Sequence, residues 1–144
     1  MRQNVLINIR GTQQVEDEKD TTELFTLGSL YKKNNKVYIV YDETETTGFQ
    51  NCRTTLKIDG EQSVTMLRSG ESRSQLVIER DKRNVGYYGL PEGELVIGVT
   101  AREIKARFDD QGGSLYCRYD LDVNAAVMSK NELFVDVKPN LPQK

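Results

Sequence analysis

Val37-Tyr-Ile-Val-Tyr-Asp-Glu-Thr-Glu-Thr-Thr-Gly48 is the stretch on which the fold is read. Val37, Ile39 and Tyr41 alternate with Tyr38, Val40 and Asp42, the period of a strand that turns one face inward. β-Branched and aromatic residues, which fit a pleated and half-buried surface, fill it almost completely. The strand then runs into carboxylates, hydroxyls and a glycine. If the sheet closes into a barrel, this is where an apolar wall meets an acidic rim.

The same period extends in both directions. Val5, Ile7 and Ile9 begin a first strand that runs towards Gln14, and Val15 to Asp20 reads as a charged, solvated loop. Thr21 to Lys33 follows as a long strand, with Gly28 placed to make a bulge or bend. Lys33-Asn34-Asn35-Lys36 is a tight polar hairpin turn. Beyond the central stretch, strands are expected over Cys52 to Asp59, around Val64 to Arg68 and over Gln75 to Arg80, with turns at Asp59-Gly60, Ser69-Gly70 and Asp81 to Asn84. Tyr87-Tyr88 precede the turn Gly89-Leu90-Pro91-Glu92-Gly93.

Leu95 to Phe108 changes phase midway, since Leu95, Ile97 and Val99 have one parity and Ile104, Ala106 and Phe108 the other. A bulge near Ala101-Arg102 reconciles them, and a short helix over residues 101–107 is the rival. Leu115 to Val123 and Leu133 to Val137 complete the strands, and Lys138 to Lys144 is read as a C-terminal tail. About nine short strands joined by tight turns, with no helical pattern long enough for a βαβ unit, give an all-β fold. The expected architecture is one antiparallel barrel of about 8–10 strands, mostly a meander, spanning residues 1–144 as one domain.

Composition limits the function. Lys and Arg number 20 against 22 Asp and Glu, a net charge of −2, which argues against a phosphate-backbone partner. No apolar run reaches the length of a membrane helix, no N-x-S/T site occurs and no signal peptide opens the sequence, so a cytoplasmic protein without a membrane partner is expected. Cys52 and Cys117 form no C-x-x-C, and both lie in phase with apolar neighbours. They read as two buried free thiols, with a disulfide the lesser alternative.

There is no histidine. That removes the commonest general base and the commonest zinc ligand, so no catalytic set, metal site or cofactor is assigned. Gly93-x-x-x-x-Gly98 lacks the P-loop lysine. Asp120-x-Asp122-x-Asn124 opens like a calcium loop, but Ala125 replaces the glycine that its turn requires. Ser29 and Lys32 are three apart on a strand and so face opposite ways.

The positive signal is polar residues on apolar parity. Glu43 continues the face of Val37, Ile39 and Tyr41, Thr54 lies between Cys52 and Leu56, Arg68 follows Val64 and Met66, and Tyr119 lies between Cys117 and Leu121. Strands three and five flank strand four, so Glu43 and Arg68 can meet with the Thr54 hydroxyl between them. The plainer alternative leaves both at the rim in water. With Tyr88, the residues Tyr41, Glu43, Thr54, Arg68 and Tyr119 form the expected ligand-binding set.

These residues also carry a resemblance. From Asn4-Val-Leu-Ile-Asn-Ile-Arg-Gly-Thr12 to Asn131-Glu-Leu-Phe-Val-Asp-Val137 the chain resembles the YwiB-like family of uncharacterised bacterial proteins. Its most specific parts are Tyr41-Asp-Glu43-x-Glu45-x-x-Gly48, Leu67-Arg-Ser-Gly70, Tyr88-x-x-Pro91-x-Gly93, and Gly112-Gly113 followed by Tyr119-x-Leu121. Where the family reads Tyr-Glu-Thr-Pro-Tyr-Gly, this chain has Tyr88-Gly-Leu-Pro-Glu-Gly93, losing a hydroxyl and an aromatic ring. The resemblance implies a calycin-like (lipocalin-like) barrel and no established activity.

Three functions are then open. The first is a barrel that binds a small apolar or amphipathic ligand. A filled barrel acting as a protein-interaction module or homodimer is the second. The third is a hydrolase using Glu43 with Glu45 or Asp42.

Overall fold

In a computed structural model, the structure describes residues 2–44, 51–90, 93–124 and 126–140. Glu45 to Gly48, Pro91, Glu92, Ala125 and Lys144, named above, lie outside them. Ten strands follow one another: β1 (Gln3–Val15), β2 (Glu18–Lys33), β3 (Lys36–Asp42), β4 (Cys52–Asp59), β5 (Ser63–Gly70), β6 (Ser74–Glu79), β7 (Arg83–Leu90), β8 (Gly93–Phe108), β9 (Gly113–Val123) and β10 (Ala126–Pro139). Each pairs antiparallel with the next, and β1 pairs with β10, closing an all-β barrel. Among the described residues no helix is long and apolar enough to cross a membrane.

Alternation determines which residues face inward. On β4 the pattern is strict, with Cys52, Thr54, Leu56 and Ile58 buried and Arg53 exposed. The turns behave as their chemistry requires. Asn34 and Asn35 both take positive φ, 53° and 64°, the conformation of a two-residue hairpin whose twist matches its strands. The phase change on β8 is a bulge between Ala101 and Glu103, and the segment is strand, not helix.

Several expectations are corrected. Val15 to Asp20 is not a loop: β1 runs to Val15 and β2 starts at Glu18, so only Glu16 and Asp17 turn the chain, with Glu16 at a φ of 54°. Gly28 makes no bulge. Its register runs unbroken from Val5 on one side to Tyr41 on the other, and its value is space, because a Cβ there would lie 2.4 Å from both Ile7 Cδ1 and the Val40 carbonyl oxygen. Arg83 to Leu90 is a full strand. The tail starts later than Lys138, since Lys138 and Pro139 pair with Leu6 and Val5 and extend β10 by pairing that their own polarity conceals.

The interior has two unlike halves. Near the β2–β3, β4–β5 and β6–β7 turns it is packed solid, with Val5, Ile7, Ile39, Val64, Ile78 and Val99 fully buried. Each such side chain contributes about 1.5–3 kcal/mol of burial. At the other end the barrel is hollow.

Candidate functional site

The hollow is a cavity of about 560 Å³. Its lining comes from the C-terminal halves of odd strands (Ile9, Tyr41, Arg68, Tyr88, Tyr119) and the N-terminal halves of even ones (Leu24, Ser74, Leu95, Asn131). In an up-and-down barrel those halves share one end. The volume is in the range of small-molecule sites, and the lining is mainly apolar with a few convergent polar groups.

Those polar groups mark the floor. Tyr41 stands directly opposite Thr54, Thr54 opposite Arg68, Arg68 opposite Ser74, and Ser74 opposite Tyr88. Five neighbouring strands thus contribute one unbroken polar row. Glu43 sits one inward position beyond Tyr41, held in line past the end of β3 by its backbone N–H, which donates to the Cys52 carbonyl at 2.9 Å. The Thr54 hydroxyl and the Arg68 guanidinium both donate to Glu43 Oε2, at 2.5 Å and 3.3 Å. Glu43 and Arg68 therefore do not reach water at the rim: their side chains are 2% and 11% exposed.

Burial raises the Tyr41 phenol above its usual range, the nearby Glu43 carboxylate adds to this, and Arg68 and Thr54 oppose it. Tyr119 is also raised, first by burial and then by Cys117 and Tyr88, while Arg68 lowers it across the interior. Both phenols stay protonated at neutral pH and can donate as well as accept hydrogen bonds. The Arg68 guanidinium lies 6.0 Å from the centre of the Tyr88 ring, the outer limit of a cation–π contact. Five of the six expected residues, Tyr41, Glu43, Arg68, Tyr88 and Tyr119, thus line the cavity, whereas Thr54 is fully buried behind Glu43 and supports the site without lining it.

Sequence reasoning missed three buried polar residues. Ser74 accepts a hydrogen bond from the Gly89 N–H at 3.2 Å. Asn131 donates to Ser129 Oγ at 3.0 Å and to the Tyr119 carbonyl at 3.4 Å. The signal was present, because Ser129 and Asn131 share the parity of Leu133 and Val135, and Ser74 that of Leu76 and Ile78.

Other expected groups lie elsewhere. Asp42 is on the outer wall, 2.9 Å from Arg53, so it makes no carboxylate pair with Glu43. Asp120 and Asp122 also face outward, covered by Arg102 at 2.6 Å and Arg83 at 2.7 Å. The bulge at Ala101/Glu103 is what brings Arg102 over Asp120. Cys52 and Cys117 are buried and free, with Cys52 Sγ accepting from the Ser72 N–H at 3.3 Å.

Comparison with known proteins assigns the family. The family described as "Domain of unknown function (DUF1934)" matches residues 7–135. The chain belongs to this family. "Uncharacterized beta-barrel protein YwiB" of Bacillus subtilis (strain 168) is 27% identical over 125 residues, 85% of this chain and 86% of that protein. The structure described as "Crystal structure of ywiB protein from Bacillus subtilis" superposes with a TM-score of 0.85 at 20% identity, covering 97% of this chain and 94% of that one. The DUF1934 chain and that protein share the barrel fold, as the YwiB-like resemblance of the residues implied.

Proposed function

We propose that this protein is a non-catalytic binding barrel for a small ligand with an apolar body and a polar end. The observation that carries the reading is the hollow half of the barrel, apolar in its walls and closed below by the row from Tyr41 to Tyr88. A ligand seated there would bury its chain against Ile9, Leu24, Leu95 and Ile97 and orient its end on the row. Two buried free thiols fit a reducing compartment such as the cytoplasm. A net charge of −2 favours no phosphate-backbone partner.

Titration with the uncharged apolar dye N-phenylnaphthylamine tests the reading. Fluorescence should rise saturably with the wild-type protein and be lost in Met66→Trp, which fills the cavity from β5. A folded wild-type protein that leaves the dye dark would end the proposal. Native mass spectrometry of protein purified from cells would then show whether a natural ligand is retained.

A second reading, a homodimer joined through the outer wall, has its own observation. Phe25 and Leu27 on β2 are 69% and 60% exposed, and Phe134 is exposed two strands away on β10. Sedimentation at micromolar concentration decides it, with a strict monomer counting against it.

A further inference from the structure

Resting on the binding reading above, we propose that the cavity selects a ligand whose polar end is uncharged, such as an alcohol or an amide, and discriminates against carboxylates. Among the described residues, the charged ones that line the cavity are Asp20, Glu43, Arg68 and Glu132, one cation and three acids. Arg68 is already opposed by Glu43 at 3.3 Å, with both side chains shielded from water. Thr54 holds the same Glu43 oxygen from the other side, so the acid cannot swing away without breaking two bonds.

An incoming carboxylate would have to compete with Glu43 for the guanidinium. It would also carry its charge into a lining already short of positive charge, at a full desolvation cost. An ammonium group fares no better at the floor, because Arg68 stands there and the Glu43 charge is engaged. A hydroxyl or amide meets neither obstacle. Around it stand the Tyr41 and Tyr119 phenols, Ser74, Ser129 and Asn131, which together offer both donors and acceptors. Glu132 brings no charge to the floor, since its side chain lies on the outward parity of β10, where its carboxylate accepts a hydrogen bond from Tyr116 at 2.7 Å.

The test is displacement of bound N-phenylnaphthylamine by decanol, decanoate and decylammonium at about pH 8, where the acid and the amine are both charged. Decanol should bind at least about tenfold more tightly than either charged analogue. Decanoate or decylammonium binding as well as decanol would overturn the proposal and leave the binding reading intact. A protein that takes up neither dye nor decanol would instead strike down the binding reading, and this inference with it. The Glu43→Gln variant gives an independent arm. It removes the opposing charge and keeps an acceptor for Thr54, so the affinity ratio of decanoate to decanol should rise about tenfold. An unchanged ratio in a folded Glu43→Gln protein would show that Arg68 is not what sets the preference. Should that variant fail to fold, the wild-type ranking decides alone.

Discussion

Arg68 and Glu43 meet at 3.3 Å where the packed half of the barrel gives way to the hollow half. They are 25 residues apart in sequence, and β4 lies between their strands. The pair is bridged over Thr54, which stands opposite Arg68 and donates to Glu43. One polar position just past the end of β3 and one on each of β4 and β5 therefore form a single unit.

Breaking that unit from one side should be costly. Glu43→Ala leaves a guanidinium with little water and no counter-charge from Glu43, an arrangement that destabilises by about 3 kcal/mol or more. Replacing both partners, Glu43→Leu with Arg68→Met, should recover most of the loss because no charge is then left buried. Urea denaturation of the two proteins checks this. A Glu43→Ala protein within about 1 kcal/mol of wild type would mean that water reaches the pair.

Stability should also fall at high pH, and the sign follows from the raised groups. Burial lifts the Cys117 thiol from the usual 9.0 to about 12. The hydrogen bond to Glu132, followed by burial, lifts Tyr116 from 10.0 to about 12. A raised folded pKa favours the protonated form. Its contribution is complete below the unfolded value and is lost as pH rises towards the folded one. The urea midpoint should therefore hold steady up to about pH 9 and decline from there to about 12, with Cys117 ionising first in the unfolded chain. Cys117→Val should flatten the first part of the decline while leaving the part from about pH 10 in place. An equally steep loss from about pH 9 in that variant would assign the effect to another group.

The parts legible in the sequence were those where a strand's own alternation agrees with its neighbours. Tyr41, Glu43, Thr54 and Arg68 each sit in an unbroken run of one parity, so the inward face could be followed past its last apolar residue. Ser74, Ser129 and Asn131 share the inward parity of their strands but precede Leu76 and Leu133, so the pairing with β5 and β9 is what shows that the strands reach back to them. The strand β7 was hidden for a different reason. Val85 and Tyr87 face outward, while Gly86 comes so close to β6 that a Cβ would lie 2.2 Å from the Gln75 carbonyl oxygen. With apolar residues outside and a glycine inside, its alternation carries no amphipathic signal.

Gly28 offers a test of packing without charge. A methyl group there meets Ile7 Cδ1, which can move, and the Val40 carbonyl oxygen, which belongs to the neighbouring strand's backbone. Gly28→Ala should therefore cost about 1–3 kcal/mol by forcing β2 and β3 apart. The gain of about 0.5–1 kcal/mol expected for alanine at an unobstructed strand position should not be seen. Thermal or urea denaturation distinguishes the two signs, and a stabilised variant would mean that the strands separate freely.

Part of the β8 edge is guarded by side chains and not by a neighbouring strand. The strand β7 begins at Arg83, opposite Thr100, so β8 from Ala101 to Phe108 has no β7 partner among the described residues. Side chains cover part of that edge. Arg80 donates to the Ile104 carbonyl at 3.1 Å and to the Glu61 carbonyl at 3.0 Å, while the Ala106 N–H donates to the Glu61 carboxylate at 3.2 Å. An uncovered edge is a template for pairing with another chain, and side chains that occupy it or charge it prevent this. Glu103, Lys105 and Arg107 supply the charge along the same stretch. Arg80→Ala should cost about 1 kcal/mol in solution, since the arginine is exposed, and should promote association that grows with protein concentration. Light scattering over a concentration series measures it. A variant that stays monodisperse while its stability falls would show that the three charged residues are enough to guard the edge.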